Sequence, residues 1–408
     1  MNLFSFAYKN LWRNKRRSIV TLLAIICGFT SISVFGGYIS DTFKSLKVQA
    51  VSGERLGHLT IFKQGMLTEG KLRPENYLFS PDDMALLKEV VRDTQGVRLV
   101  TPGLPISGIF NSDDASTIFI GDGVVPEDVE ILRGDIEEGY GGRVYSDNEI
   151  GIAIASDMGR LLEMDKGSLP ILLVSTFEGQ ANAMDAEVVD IFNTGNAGTN
   201  DKMILVPFDY AQKLMDTDGA QRFVVLLDDI KQTESMRVSL AEALGERGLA
   251  VEIKTWNELS SFYNQVSGLF NMIFTFMFSI VFTVIVMSII NTMSMAIVER
   301  TREIGTLRAL GLKKKGIVTL FTLEGAFLGM FGVAIGTVLS VLIAFVIKVA
   351  NITYVPPNSS GAVPLLIDLN FSQMSFIFLC TIVLAALAAA WPAFGATRRD
   401  IRSALTYN

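Results

Sequence analysis

Histidine and cysteine are almost absent from this 408-residue sequence, which contains one His and two Cys. A Ser-His-Asp triad would have to use His58, and no G-x-S-x-G motif accompanies it. Cys27 and Cys380 both lie in long apolar stretches, so they cannot form the disulfide framework of an exposed domain, and their spacing matches no zinc motif. We therefore predict neither catalytic residues nor a metal site.

The phosphate-binding loop G-x-x-x-x-G-K-[ST] is also missing, because Gly305 and Gly311 are spaced six apart and do not form it. The segment Asp216–Gly219 resembles part of a calcium loop but lacks the later Glu, so we interpret it as a turn. We expect no cofactor in this chain. Any ATP-driven activity would need ATP and Mg on a separate polypeptide.

Apolar residues are abundant and form four stretches that can each cross a bilayer, since about 20 apolar residues suffice. We predict an α-helical membrane protein with four transmembrane helices and a large extracytoplasmic mixed α/β domain. The predicted parts are an interfacial helix over 1–17, a span over 18–40, the outer domain over 41–268 with an inserted subdomain over about 111–200, a span with a stalk over 269–298, a loop helix over 299–315, a span over 316–347, a loop over 348–368, a span over 369–397 and a tail over 398–408.

Charge indicates which side of the membrane each part faces. Segments 1–17, 299–315 and 398–408 together contain fourteen Lys and Arg but three Asp and Glu, whereas 41–268 contains 20 Lys and Arg but 37 Asp and Glu. The positive-inside rule therefore places the termini and 299–315 in the cytoplasm and the acidic domain outside. A cleaved secretory signal is the alternative for the first stretch. A retained anchor is favoured, because the basic region is long for a signal and Trp12 suits an interfacial helix.

The outer domain has the alternating pattern of a mixed α/β fold. Helices are predicted from Pro81 to Asp93, from Ser156 to Glu163, from Pro207 to Met215 and from Gln232 to Arg247. Strands are predicted at 58–62, 97–101, 106–110, 117–121, 152–155, 169–174, 188–192, 203–206, 223–228 and 250–254.

The second and third apolar stretches each have an unusual feature. Leu269–Val298 would form a helix of about 45 Å, against a hydrocarbon core of about 30 Å, so it either tilts or stands out of the bilayer as a stalk. The third contains Glu324, an intramembrane acid for which a structural pairing is favoured over a proton relay. It also contains a helix-packing series at G-x-x-x-G-like spacing, formed by Gly325, Gly329, Gly332 and Gly336.

The loop 299–315 predicts a short amphipathic helix, because Ile304, Leu307 and Leu310 recur at helical spacing and Arg300 can pair with Glu303. One interpretation is a juxtamembrane helix whose basic residues hold acidic lipid. The other is a contact with a partner protein.

The run ERTREIGTLRALG, continued by Glu324 and EGAFLGMFGVAIG, resembles the signature of MacB/FtsX-type (type VII) ABC transporter permeases. The order of one span, a large outer domain and three spans matches too, as do YKNLWRNKRRS, ILVPFDYAQKLM and IKTWNELSSFY. In layout the chain is most similar to the lipoprotein-releasing (LolC/LolE-like) members.

This resemblance implies two permeases, identical or homologous, and two separate ABC ATPase subunits in a bacterial inner membrane. It implies mechanotransmission, in which the ATPase cycle moves the outer domains. Some members carry the ATPase at the N-terminus, but here only about 17 residues precede the first span. The implied ATPase-coupling residues are Glu299, Arg300, Arg302, Glu303, Ile304, Gly305, Leu307, Arg308, Ala309, Leu310 and Gly311.

The resemblance leaves the substrate open. Release of lipoproteins to a periplasmic carrier is preferred, because the segments VVDIFNTGNAG, AQKLM and TWNEL are most similar to that branch. Export of small molecules or peptides with a periplasmic adaptor, response to antimicrobial peptides, and non-transporting regulation of an outer enzyme are the alternatives.

Overall fold

The computed structural model describes residues 15–112, 115–134, 139–356 and 359–397. Most of the predicted interfacial helix and the whole of the predicted tail lie outside these residues. The described chain divides into two compact units, which we call the membrane unit and the outer domain. The membrane unit is Met1–Phe43, Ser267–Thr353 and Pro364–Asn408, and the outer domain is Lys44–Val266 and Tyr354–Val363.

Four helices of the described residues are long and apolar enough to cross a membrane, and α8, with 39 residues, is the longest element among them. The helices in chain order are α1 (Lys15–Val48), α2 (Pro81–Arg92), α3 (Pro126–Arg133), α4 (Ser156–Leu161), α5 (Phe208–Met215), α6 (Thr233–Glu246), α7 (Trp256–Leu259), α8 (Ser261–Glu299), α9 (Thr301–Ala309), α10 (Lys314–Ala350) and α11 (Phe371–Thr397).

The membrane unit packs through small residues and one apolar cluster. Gly28 of α1 lies against α8 so closely that a Cβ there would be 2.8 Å from Val281 Cγ1. The hydroxyls of Thr21 and Thr292 hydrogen-bond at 2.6 Å between the same two helices. These contacts suit a lipid environment, where burying apolar surface between helices gains little and close backbone approach gains more.

A single large sheet forms the scaffold of the outer domain. Its hydrogen-bonded order is β10-β1-β9-β2-β3-β8-β4-β7, with β5 pairing with β2 and β6 pairing with β5. The β3–β8 and β4–β7 pairs are parallel. The strands are β1 (Leu59–Lys63), β2 (Val97–Asn111), β3 (Ser116–Val124), β4 (Gly151–Ala155), β5 (Ile171–Ser175), β6 (Ala181–Asp185), β7 (Glu187–Phe192), β8 (Met203–Pro207), β9 (Arg222–Leu227) and β10 (Val251–Thr255), with the short pair β11 (Thr353–Tyr354) and β12 (Val363–Pro364) elsewhere.

The apolar faces of α2, α5 and α6 cover this sheet. Leu87, Leu214 and Leu240 are fully buried in the same cluster as Ile61 and Phe223 of the strands. The α2 helix starts with a capping box, in which Ser80 and Asp83 satisfy each other's backbone amides. The hydrophobic effect therefore stabilises this unit in the ordinary way of a water-soluble domain.

The sheet differs from the sequence-based expectation in its centre. The segments 97–101 and 106–110 form one strand, β2, because the chain continues through Pro102 and Pro105 while changing partners at Gly103 from β9 to β3. Residues 111–200, for which we predicted an inserted subdomain, contribute β3 to β7 to this same sheet. Local sequence patterns do not show which strands pair when they are a hundred residues apart, so the sequence did not indicate that these strands join one sheet.

Candidate functional site

The loop between the second and third spans forms helix α9, and one of its faces is buried in the membrane unit. The hydroxyl of Thr301 donates to the carbonyls of Ile297 and Val298 at 3.0 and 2.9 Å. Ile304 packs into the same apolar cluster as Ile317 of α10. The helix is therefore attached both to the end of α8 and to the beginning of α10.

A buried ion pair makes the second attachment. Arg300, which directly precedes α9, places Nη1 3.1 Å from Oε1 of Glu324 in α10, and the side chains are 8% and 4% exposed. In an apolar surrounding, such a pair is costly to break, because removing one member leaves the other charge buried without its counterion. Glu324 thus holds the start of α9 against the third span.

The other face of α9 and the following turn are open. Leu310 is 80% exposed, which is unusual for a large apolar side chain in a basic segment. Gly311 has φ +96, a left-handed conformation that allows the helix to end, with its N–H donating to the Arg308 carbonyl at 3.1 Å. The exposed residues are Arg302, Glu303, Thr306, Ala309, Leu310, Gly311, Lys313, Lys314 and Lys315.

The structure therefore divides the predicted coupling residues into two groups. Arg300, Ile304 and Gly305 are buried and hold the helix, whereas Arg302 and Glu303 are exposed. Leu307, Arg308, Ala309, Leu310 and Gly311 are half-buried or exposed. Two residues at the start of this loop pair with residues of other helices. Arg300 pairs with Glu324, 24 residues away, and Glu299 pairs with Arg17 at 2.7 Å. Spacing along one helix could not reveal partners on other helices.

The four glycines of α10 face two different neighbours. A Cβ at Gly325 or Gly329 would overlap α11, lying 2.7 Å from the Ala385 carbonyl oxygen in the first case and 2.9 Å from the Ala385 Cβ in the second. A Cβ at Gly332 would lie 2.5 Å from Cγ2 of Ile25, and one at Gly336 would lie 2.9 Å from Phe29 Cδ1, both on α1. The series thus lets one helix approach α11 with its first half and α1 with its second half.

The outer domain contains a groove of about 710 Å³ where the parallel strands β3 and β8 end. The carboxyl ends of parallel strands are a common place for ligands. Lys213 pairs with Glu149 at 3.2 Å on its rim. The lining is otherwise rich in carboxylates, contributed by Glu127, Asp209, Asp216 and Asp218.

Two family models match the chain. The MacB-like periplasmic core domain matches residues 18–243, and the FtsX-like permease C-terminal domain matches residues 275–401. The chain belongs to the MacB/FtsX family of ABC transporter permeases. This permease is therefore a membrane protein with an external domain.

The chain is also similar to individual relatives. An uncharacterized ABC transporter permease of Methanocaldococcus jannaschii is 25% identical over 85% of this chain and 84% of its own length. The lipoprotein-releasing system transmembrane protein LolC of Xylella fastidiosa is 25% identical over 64% of this chain and 65% of its own. The macrolide export ATP-binding/permease protein MacB of Escherichia coli K12 is 32% identical over 29% of this chain and 16% of its own. Among solved structures, the periplasmic region of MacB from Actinobacillus actinomycetemcomitans is 14% identical, with a TM-score of 0.36 over 50% of this chain and 92% of that one.

Proposed function

We propose that this permease is the subunit through which a separate pair of ATPase subunits, binding ATP and Mg, drives movement of the outer domain by mechanotransmission. A second permease, identical or homologous, completes the complex in the bacterial inner membrane, with both termini in the cytoplasm. The substrate is handled on the outer side or in the outer leaflet, and lipoproteins are the substrate class we propose.

The observation that carries the proposal is the two-faced helix α9. Its buried face is fixed to the spans through Arg300, Thr301 and Ile304, so a force on the helix passes to α8 and α10 rather than being lost in a loose loop. Its open face presents Arg302 and the exposed Leu310. An apolar side chain surrounded by basic ones suits a groove on a partner protein.

The length of α8 supports transmission across the membrane. A continuous helix of 39 residues measures about 58 Å, roughly twice the hydrocarbon thickness of about 30 Å. The helix ends at Glu299, directly before the residue that pairs with Glu324. A rigid rod of this length can carry a displacement from the cytoplasmic surface to the other side.

Lipoproteins are preferred because the LolC relative is similar over 64% of this chain, against 29% for the macrolide exporter. Export of small molecules or peptides with a periplasmic adaptor is the second candidate. It is favoured by the groove of about 710 Å³, a size within the range of pockets for small ligands.

A double charge reversal, Arg302→Glu with Arg308→Glu, tests the coupling role. We expect the complex to lose the ATPase subunits on purification, or to hydrolyse ATP without releasing substrate, because the basic face would repel its partner surface. The matched control reverses two exposed arginines of the outer domain, Arg92→Glu with Arg98→Glu, and should leave both properties unchanged. Normal ATPase binding and release by the first variant would refute the assignment and favour a lipid-binding helix.

The substrate is tested with the permease and its co-purifying ATPase reconstituted in proteoliposomes. We expect ATP-dependent release of a triacylated lipoprotein and no release of its unlipidated form. Transport of a macrolide with retention of the lipoprotein would instead support the export alternative.

A further inference from the structure

A turn in the outer domain, Asn193–Asn196, contacts two segments that are continuous with the membrane spans. The turn directly follows β7. One segment is Gln49, the residue after α1, and the other is Ser359–Gly361, in the connection between α10 and α11. All three segments belong to the outer domain. At this turn, the segment that follows the first span therefore lies next to the segment that connects the third and fourth spans.

The side chain of Gln49 fits closely against this turn. Its Nε2 donates to the carbonyl of Thr194 at 2.7 Å. The same amide lies between two glycines, since a Cβ at Gly53 would be 2.6 Å and one at Gly195 would be 2.8 Å from its Oε1. Gly195 also has φ +77, which other residues adopt only with strain. Neither glycine could gain a side chain without displacing the amide.

The second contact is made by Asn193 and Asn196 of the turn. The hydroxyl of Ser360 bonds to Oδ1 of Asn193, and Nδ2 of Asn193 approaches the Ser360 carbonyl at 3.5 Å. Asn196 and Ser359 form an antiparallel backbone bridge. Side-chain and backbone bonds together therefore hold the connection between α10 and α11 against the domain.

The turn itself is fixed to the sheet. The N–H of Thr194 donates to Oδ1 of Asn200 at 3.0 Å, and Nδ2 of Asn200 donates to the hydroxyl of Ser156, where α4 begins, at 3.0 Å. Asn200 is fully buried, so its hydrogen bonds are costly to break. A displacement of the turn must therefore also displace β7 and the strand β4 beside it.

We propose that Asn193–Asn196 is a transmission junction, which passes displacements of the first span and of the α10–α11 connection into the sheet of the outer domain. This role rests on the proposed function, because it requires a nucleotide-driven movement. Gln49 and Ser360 are positioning residues in it, and neither contacts a substrate. The junction stays closed during the cycle, since it can transmit a displacement only while its contacts hold.

Hydrogen exchange of the β7 amides, with and without ATP, tests the junction in the full permease bound to its co-purifying ATPase. We expect ATP to change exchange in β7 of the natural protein. In Gln49→Ala and Ser360→Ala the ATP-dependent change should fall about two- to ten-fold, the range for losing one hydrogen bond, while ATP hydrolysis persists. The matched controls are Gln180→Ala and Ser175→Ala, whose side chains are exposed. An undiminished response in the two junction variants, or no response in the natural protein, would overturn the proposal.

A disulfide tests whether the junction stays closed. Residues bridged in antiparallel pairing have Cα atoms about 4.5–5.5 Å apart, within disulfide range, so Asn196→Cys with Ser359→Cys can be joined in a background of Cys27→Ala and Cys380→Ala. We expect the oxidised protein to keep its ATP-dependent exchange response. A response lost on oxidation and restored by reduction would show that the junction opens, and would refute this inference.

The two proposals fail separately. If the ATP-dependent exchange of the β7 amides depends on Gln49 but the natural complex releases no lipoprotein, the substrate assignment fails and the junction stands. If lipoprotein is released while Gln49→Ala responds like the natural protein, the junction fails and the proposed function stands.

Discussion

Both units of this permease bury an arginine against a carboxylate, and the surroundings of the two pairs differ. Arg300 and Glu324 lie among the spans at 3.1 Å, with side chains 8% and 4% exposed. Arg222 and Asp122 lie in the outer sheet at 2.5 Å, with side chains 15% and 6% exposed. The first pair has lipid-facing helices around it, whereas the second belongs to a domain with a large apolar core.

The outer pair also has a third member. Arg55 is buried near Asp122, has φ +52 and donates to the carbonyl of Gly141 at 3.1 Å. Burial lowers the pKa of Arg55 to about 10, and Asp122 opposes that shift. Asp122 thus pairs directly with Arg222 and lies near Arg55, and all but Arg222 line a cavity of about 10 Å³, which is enough for one water molecule.

The two units differ in what selects the arrangement of their packed elements. Between helices in lipid, apolar contact favours no particular partner, so an ion pair and close glycine contacts select the arrangement. In the outer domain, the hydrophobic effect buries the apolar faces whether or not the charged groups pair. The charged cluster therefore fixes only the local arrangement of a core that would form without it. Substitutions in one unit should therefore have effects of a different size from those in the other.

The largest effect is expected from Glu324→Ala. It leaves Arg300 buried without its carboxylate, which costs about 3–5 kcal/mol, and should abolish assembly with the ATPase. Glu324→Gln keeps an acceptor oxygen and should be milder, and the exchange of charges in Arg300→Glu with Glu324→Arg should restore part of the loss. Thermal unfolding in detergent measures all three. Equal stability of Glu324→Ala and the natural protein would contradict a stabilising pair.

Next is Gly332→Leu, which forces a side chain into the space of Ile25 on α1 and should cost about 3 kcal/mol. Gly329→Leu should have a similar effect against Ala385 of α11. Gly395→Leu is the control, because no atom of the described residues lies within 4 Å of a Cβ there. Thermal unfolding in detergent compares the three. If the control is as damaging as the others, close packing is not the reason for the glycines.

Asp122→Asn should be less damaging, at about 2 kcal/mol, because the amide retains one hydrogen bond to Arg222 while losing the charge. The unfolding of the outer domain, followed by circular dichroism, measures it. A loss as large as that of Glu324→Ala would remove the distinction between the two units.

The smallest effect concerns His58, whose Nδ1 accepts a hydrogen bond from the Leu227 N–H at 2.8 Å. Burial lowers the pKa of His58 to about 4 from 6.5, and Lys47 adds to the shift. The unfolded state then binds a proton more readily, so stability should be constant above about pH 6.5 and fall between there and pH 4. His58→Gln should flatten this profile in a pH series of denaturation curves. An unchanged slope would mean that other groups dominate.

Patterns of short range predicted much of this architecture. Hydropathy alone indicated the four spans, because apolar stretches of that length are rare outside membrane helices. The bounds of β1, β7, β8 and α2 also lie within a residue or two of the predicted positions. The strand β6 was missed, since Ala181–Asp185 mixes small and polar residues and contains none of the β-branched or aromatic residues typical of strands. Helix α3 was missed because its eight residues are too few for a helical period to stand out.

Partners far apart in the chain could not be predicted. Glu324 was noticed as an intramembrane acid and the basic loop as a helix, but no spacing rule connects Arg300 with Glu324 across the bend between them. The glycine series was visible, yet its division between α11 and α1 depends on where those helices lie. No local pattern shows that the Asn193–Asn196 turn contacts Gln49 and Ser360.

The sequence by itself indicated the four spans, the class of the outer domain and the family, because these follow from hydropathy and local motifs. Tertiary structure alone decided which of the predicted coupling residues are exposed, that Glu324 pairs with Arg300, and which segments meet at the Asn193–Asn196 turn. The physical reason is that hydropathy and helical period act between near neighbours, whereas ion pairs, close glycine contacts and strand pairing depend on distances that the folded chain sets.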